Sequence, residues 1–93
     1  MKRVCVVITA RPSYSRIYTA LVALRARPDV ELQIVAAASA VVTRFGRVVD
    51  GIRADGFEIA EEVSSVVEDD SLANSALSTG LLTQQLAHTF QRL

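Results

Sequence analysis

The sequence predicts an α/β fold in which a small parallel sheet is covered by helices. Three observations lead to this prediction. Short runs of β-branched apolar residues alternate with segments whose apolar residues recur every three to four positions. The order of these segments is β-α-β-α-β-α, which is typical of parallel sheets with helices on their faces. Of the 93 residues, 51% are hydrophobic, enough to form the core of one small domain.

The first half of the chain contains two predicted strands and one helix. Residues 4–8 form a continuous β-branched run, as expected of a strand covered on both faces. Ser13 or Ser15 is predicted to cap the first helix by accepting a hydrogen bond from its first turn. Residues 30–37 form the second predicted strand. The apolar positions of the first helix share one face: Ile17, Ala20, Leu21 and Leu24.

A second helix and a third strand follow. Residues 57–63 are predicted to be the strand, and residues 64–71 a connection. Gly56 is the expected end of the helix, since glycine accepts the left-handed conformation that ends helices. The apolar stripe of this second helix consists of Val41, Phe45, Val48, Val49 and Ile52.

The last predicted helix begins at Leu72 and carries apolar residues on two sides. Leu77 and Leu81 form a second stripe, four residues apart. We therefore expect this helix to be covered twice, by its own sheet and by another chain or domain. Its first apolar face consists of Leu72, Ala76, Gly80, Thr83, Ala87 and Phe90, with Leu86 and Leu93 beside it.

Composition excludes several classes of protein. Ten basic and ten acidic residues give a net charge of zero, which argues against a general nucleic-acid binder. The single cysteine, Cys5, rules out an internal disulfide and is interpreted as a small buried hydrophobe. A single histidine, His88, does not indicate a metal site. No apolar stretch reaches the roughly 18 residues that a membrane helix needs, so we expect a soluble, cytoplasmic protein.

Two arginines stand where the first strand is predicted to give way to the first helix. In open α/β sheets, ligands bind outside the carboxyl ends of the strands, where "TARPSYSR" lies. A helix N-terminus attracts anions, and the guanidinium groups of Arg11 and Arg16 suit phosphate oxygens. These residues indicate a phosphate or diphosphate ligand; the alternative is that they are solvated or paired with acids. There is no G-x-G-x-x-G loop or Walker A lysine, so an ordinary dinucleotide or ATP site is not indicated.

Other polar and aromatic residues have simpler interpretations. Tyr14 and Tyr18, four residues apart, are interpreted as packing against a neighbouring loop, with stacking on a uracil or sugar ring as the alternative. The acidic clusters Glu61–Glu62 and 68–70 are interpreted as solvated loops and not as a general acid/base pair.

Three segments resemble the hydrolysing UDP-N-acetylglucosamine 2-epimerases, and together they cover nearly all 93 residues. "VITARPSYSRIYTAL" is similar to the first strand, loop and helix of that family. "LQIVAAASAVVTRFGRVVDGIRADGFEI" is similar to its second strand, its phenylalanine–glycine loop and its "DGF" turn. "SLANSALSTGLLTQQLAHTFQRL" is similar to the helix before its fourth strand. Ser13 and Ala40 differ from the acid and the histidine that are frequent in the family at these places.

The resemblance implies a fold, a reaction and a set of binding residues. The fold would be a Rossmann-like three-layer βαβαβα unit, part of the GT-B architecture of two Rossmann-like halves with the UDP-sugar between them. Family members remove the C2 proton and eliminate UDP, and hydrolysing members add water to give N-acetylmannosamine or a related sugar, without a cofactor or metal. Arg11 and Ser15 match residues that contact UDP, and Arg16 matches a basic residue near the phosphates.

The same resemblance sets expectations for the whole chain. Residues 1–93 would be a single incomplete domain at the N-terminus of a larger enzyme, inactive alone because the family's catalytic residues lie beyond residue 93. An open sheet edge favours association, so a homo-oligomer is expected. Two alternatives stay open: the N-terminal part of a GT-B glycosyltransferase, and a non-catalytic α/β module that assembles through the sheet edge and through Leu77 and Leu81.

Overall fold

The centre of the fold is a three-stranded parallel sheet, seen in a computed structural model that describes residues 1–42, 46–65 and 71–93. The strands are β1 (Lys2–Ile8), β2 (Val30–Ala37) and β3 (Ile59–Val63), and they lie in the order β1-β2-β3. Both pairings are parallel, which confirms the predicted α/β class. Phe57, predicted to lie in the third strand, precedes it and is buried in the core.

Helices cover both faces of this sheet. They are α1 (Arg11–Arg25), α2 (Val48–Ala54) and α3 (Leu72–Arg92), and a short 3-10 turn occupies Ala38–Val41. The second half of the central strand β2, residues 34–37, is buried on both faces, as expected for a parallel strand between two helical layers. One core cluster joins the sheet to α1 and α2, and it contains Ile8, Leu21, Ile34, Ala36, Val49 and Ile52. The other joins the sheet to α3, and it contains Val35, Ala37 and Val63 with Val7, Leu82, Leu86 and Leu93. The three layers are consistent with a Rossmann-like unit.

The first helix begins earlier than the serine caps predict. Ala10 is the N-cap, with an extended backbone and no side-chain hydrogen bond, so the prediction of Ser13 or Ser15 as the cap is wrong. Pro12 lies in the first turn, where its fixed φ suits a helix and its missing N–H leaves one donor fewer to satisfy. The chain therefore becomes helical at Arg11.

The second helix is shorter than its apolar stripe predicts. Gly46 (φ 86°) and Arg47 (φ 39°) are left-handed and separate the 3-10 turn from α2, so a helix continuous from Val41 to Ile52 is wrong. Val48, Val49 and Ile52 are buried as predicted, whereas Phe45 lies outside the described residues. Gly56 (φ 92°) follows the end of α2 and confirms the predicted stop.

The third helix buries a different face from the predicted one. Thr89 is fully buried, and Leu82, Leu86 and Leu93 pack on the sheet. Of the face that the sequence favours, Leu72 is 90% exposed and Phe90 51%. Both sides of the helix are apolar, so periodicity alone does not identify the one that meets the sheet. Among the described residues, no helix combines the length and hydropathy needed to cross a membrane.

Both β1 and β3 lie at edges of the sheet, since β2 is between them. The predicted burial of Cys5 is wrong for this reason: its side chain, on an edge strand, is exposed.

Candidate functional site

The carboxyl ends of the three parallel strands meet at one rim of the sheet, and a cleft opens there between α1 and α2. Arg11 lies at this rim because α1 begins three residues after β1 ends. The cleft has a volume of about 410 Å³. It is lined by Arg11, Tyr14, Ser15, Gly46, Arg47, Val48, Asp50, Gly51, Ala54 and Asp55.

Arg11 is exposed, and its guanidinium reaches across the cleft towards the loop before α2. A Cβ built on Gly46 would lie 2.9 Å from Arg11 Nη2, so the guanidinium occupies space that only glycine leaves open. Within residues 1–42, 46–65 and 71–93, Arg11 forms no ion pair. No acid of the described residues therefore lies within ion-pair distance of it, although Asp50 and Asp55 line the same cleft.

The N-terminus of α1 adds partial positive charge at the same place. Because Ala10 provides no side-chain cap, the first N–H groups of the helix have no side-chain acceptor in the described structure. The macrodipole of a helix of this length favours an anion at its start. Ser15 lines the cleft one turn after Arg11 and offers a hydroxyl as donor or acceptor.

Arg16 does not share this position. It is exposed, and it is absent from the lining of the cleft. Each helical residue is rotated by about 100° from the preceding one, so Arg16 and Ser15 leave α1 in different directions. The structure thus brings together two of the three predicted binding residues, Arg11 and Ser15.

A second arginine at the rim was not singled out in the sequence. Arg47 lines the cleft, and its guanidinium donates hydrogen bonds to Val41 O (3.3 Å), Asp50 Oδ2 (3.2 Å) and Glu62 Oε1 (3.1 Å). Arg53 also pairs with Glu62, at 2.8 Å. The charge of Arg47 is therefore shared with two carboxylates. Arg47 follows Gly46 and has a left-handed backbone. No apolar periodicity in the sequence reveals this conformation, so sequence reasoning could not place Arg47 at the cleft.

Tyr14 closes the other side of the cleft. Its hydroxyl donates to Asp55 Oδ2 at 2.5 Å, and its ring meets those of Tyr18 and Phe57 edge to face. Burial, followed by the bond to Asp55, raises the pKa of Tyr14 well above its usual value. Arg25 lies over the Phe57 ring, 4.1 Å from its centroid. The prediction that the two tyrosines pack against a neighbouring loop is confirmed.

The acids of β3 are engaged in ion pairs, so their interpretation as a solvated loop is wrong. Glu61 pairs with Arg92, and Glu62 with Arg47 and Arg53. Hydrogen bonds hold the pKa of both carboxyls below the usual range, chiefly from Thr89 for Glu61 and from Arg53 for Glu62. Residues 68–70, the second acidic cluster, lie outside the described residues.

Arg11 and the start of α1 are the parts of the cleft that suit an anion at the rim. The described residues contain no group of three or more His, Cys, Asp or Glu side chains placed to hold a metal ion. Neither protein-family models nor curated proteins gave a match to this chain. Two features define the candidate site: the guanidinium of Arg11, which forms no ion pair among the described residues, and the start of α1 beside it, which has no side-chain cap.

Proposed function

We propose that this chain binds the diphosphate of a nucleotide sugar in the cleft at the rim of its sheet. The observation that carries the proposal is Arg11, a guanidinium at the carboxyl end of a parallel strand that lines a cleft without forming an ion pair among the described residues. A diphosphate offers paired oxygens to the planar guanidinium group. Hydrogen bonds between charged groups of this kind are stronger than those between neutral groups.

We further propose that the nucleotide sugar is a UDP-sugar and that the chain is the N-terminal portion of an enzyme of the UDP-N-acetylglucosamine 2-epimerase type. Support comes from the resemblance of "VITARPSYSRIYTAL" and from the coincidence of its Arg11 and Ser15 with the cleft. In this proposal the chain supplies nucleotide binding on one side of a GT-B cleft. The catalytic carboxylates come from outside residues 1–93, and the reaction takes place in the cytoplasm.

Titration with UDP, followed by nuclear magnetic resonance, tests the binding proposal. We expect weak, millimolar binding, and about a tenfold weaker affinity for Arg11→Ala, the effect of losing a charge-assisted hydrogen bond worth roughly 1.5 kcal/mol. Arg27→Ala is the matched control, because Arg27 is an exposed arginine that pairs with Asp29 at the opposite end of the sheet. Equal affinities for the two variants would contradict the proposal.

A third variant, Arg16→Ala, tests whether the residues that bind UDP are those of the cleft or those that the family resemblance suggests. Arg16 matches a basic residue of the family, yet it lies outside the lining of the cleft. If Arg16→Ala weakens UDP binding as much as Arg11→Ala, the ligand extends over the outer side of α1. If only Arg11→Ala weakens it, the diphosphate lies in the cleft alone.

The second candidate function is a non-catalytic module that assembles through α3. Leu77 is 57% exposed and Leu81 39%, and together with Ala73, Ala76 and Gly80 they border an apolar groove. UDP titration distinguishes the candidates, because a module of this kind shows no shift at millimolar UDP. UDP titration does not distinguish an epimerase from a GT-B glycosyltransferase, because both would bind UDP here. The two enzymes would differ in the second half of the GT-B architecture.

A further inference from the structure

Arg47 is the second arginine of the rim cleft, and it comes from a different wall than Arg11. Arg11 begins α1, whereas Arg47 directly precedes α2, and both line the cleft. The two segments are close, because a Cβ on Gly46, the residue before Arg47, would lie 2.9 Å from Arg11 Nη2. An anion held by Arg11 therefore lies beside the segment that carries Arg47.

The hydrogen bonds that hold the guanidinium of Arg47 are long. It donates to the two carboxylate oxygens of Asp50 at 3.2 and 3.5 Å, and to Glu62 Oε1 at 3.1 Å. Hydrogen bonds from a guanidinium to a carboxylate are usually about 2.7–2.9 Å. The side chain of Asp50 is also 63% exposed, and ion pairs of exposed side chains contribute little to stability. A ligand can therefore compete for Arg47.

Both acidic partners of Arg47 have another way to stabilise their charge. Glu62 also pairs with Arg53, whose Nη2 lies 2.8 Å from Glu62 Oε2, and this is the shorter of its two ion pairs. Asp50 is exposed, so water solvates its carboxylate. Breaking an ion pair is costly when it leaves a buried charge without a partner. Turning Arg47 away from Asp50 and Glu62 does not have this consequence.

The two acids also explain how two arginines share one small cleft. Neighbouring like charges repel each other, and Asp50 and Glu62 offset the charge of Arg47. A diphosphate carries several negative charges, so it would offset that charge in their place. It would also accept charge-assisted hydrogen bonds from Arg11 and Arg47 together.

We propose that Arg47 is a second anion-binding side chain of the rim cleft, which turns from Asp50 and Glu62 to the ligand while Arg53 keeps Glu62 paired. The inference rests on the proposed function, and it adds that the diphosphate is held from both walls of the cleft, by Arg11 and by Arg47. Arg53 does not line the cleft and affects binding through Glu62. It is therefore a positioning residue.

Titration of Arg47→Ala with UDP tests the contact. We expect an affinity about tenfold below that of the wild type, as for Arg11→Ala, through the loss of a charge-assisted hydrogen bond. Arg27→Ala, whose arginine pairs with Asp29 away from the cleft, is again the control and should bind as the wild type does. Circular dichroism establishes that each variant is folded.

The two acids that line the cleft provide a matched pair of variants. Asp50 pairs with Arg47, whereas Asp55 accepts a hydrogen bond from Tyr14. Asp55→Asn removes one repelling charge and should strengthen UDP binding about twofold, whereas Asp50→Asn also releases Arg47 and should strengthen it about fivefold. When Arg47 is already alanine, the two substitutions should have equal effects. The comparison with Arg47 present stands even if Arg47→Ala does not fold.

Arg53→Ala tests the alternative partner of Glu62. Without Arg53, Glu62 retains Arg47 more firmly, so UDP binding should weaken about threefold, and this effect should vanish when Arg47 is alanine. The inference is overturned, and the proposed function stands, if Arg11→Ala weakens binding and Arg47→Ala does not. Equal effects of Asp50→Asn and Asp55→Asn with Arg47 present would overturn it as well. Absence of UDP binding by the wild type would overturn both.

Discussion

The hydroxyl of Tyr14 links the start of α1 to the end of α2, and the two helices form the walls of the rim cleft. It donates to Asp55 Oδ2, while Arg25 donates to the Asp55 carbonyl oxygen at 3.2 Å. We expect Tyr14→Phe to lower the free energy of unfolding by about 1.5–3 kcal/mol, the usual range for a hydrogen bond to a charged group. Urea denaturation measures this change. Tyr18→Phe is the control, since Tyr18 is 39% exposed and should change little.

The same hydroxyl makes stability depend on alkaline pH. The folded state raises the pKa of Tyr14, so the stabilisation is fully present below the unfolded value of about 10 and is lost as pH rises above it. Wild-type stability should therefore fall more steeply than that of Tyr14→Phe when urea denaturation is repeated from neutral pH to above pH 10. Parallel slopes for the two proteins would show that Tyr14 does not carry this dependence.

At the scale of elements, two glycines of the same segment should respond in opposite ways to alanine. Gly46 has φ 86°, and a Cβ there would lie 2.9 Å from Arg11 Nη2. Gly46→Ala should cost roughly 1–2 kcal/mol of stability and displace the guanidinium, weakening UDP binding. Gly51 lies within α2 with nothing within 4 Å of its added Cβ, so Gly51→Ala should stabilise by up to about 1 kcal/mol. Thermal unfolding and UDP titration measure both, and destabilisation by both substitutions would contradict this explanation.

The elements also show where sequence reasoning succeeds. The strand of residues 30–37 was predicted to the residue, because Pro28 and Asp29 mark its start and the apolar residues Val30, Leu32, Ile34 and Val35 follow. The break before α2 was missed, because Val41, Val48 and Ile52 keep a helical period across the left-handed Gly46 and Arg47. The packed face of α3 was missed because both of its sides are apolar.

For the candidate site, sequence reasoning identified Arg11 and Ser15, which follow β1 closely along the chain. Their place in the chain is enough to predict their place in the fold, because the residues directly after a parallel strand lie at the carboxyl-end rim of the sheet. Arg47 and Asp55 reach the same cleft from another helix, and that proximity depends on the packing of α1 against α2. Such contacts between distant segments have no local signature.

At the scale of the whole molecule, the two candidate functions use different faces of the sheet. The rim cleft is formed by α1 and α2 on one face. The helix α3 packs on the other face and carries the exposed Leu77 and Leu81. Binding of UDP is therefore separable from any association through α3, so Leu77→Ser should bind UDP with unchanged affinity, as titration of both proteins would measure.

The claim that Arg11 and the start of α1 hold a diphosphate is tested most directly by mapping amide shifts during titration with UDP. We expect the largest shifts at Arg11, Ser13 and Ser15, with saturation at millimolar UDP and little response to uridine, which lacks the phosphates. Amides at the opposite end of the sheet, such as those of Asp29 and Val30, should not move. Equal responses to UDP and uridine, or shifts confined to residues away from the rim, would contradict the claim.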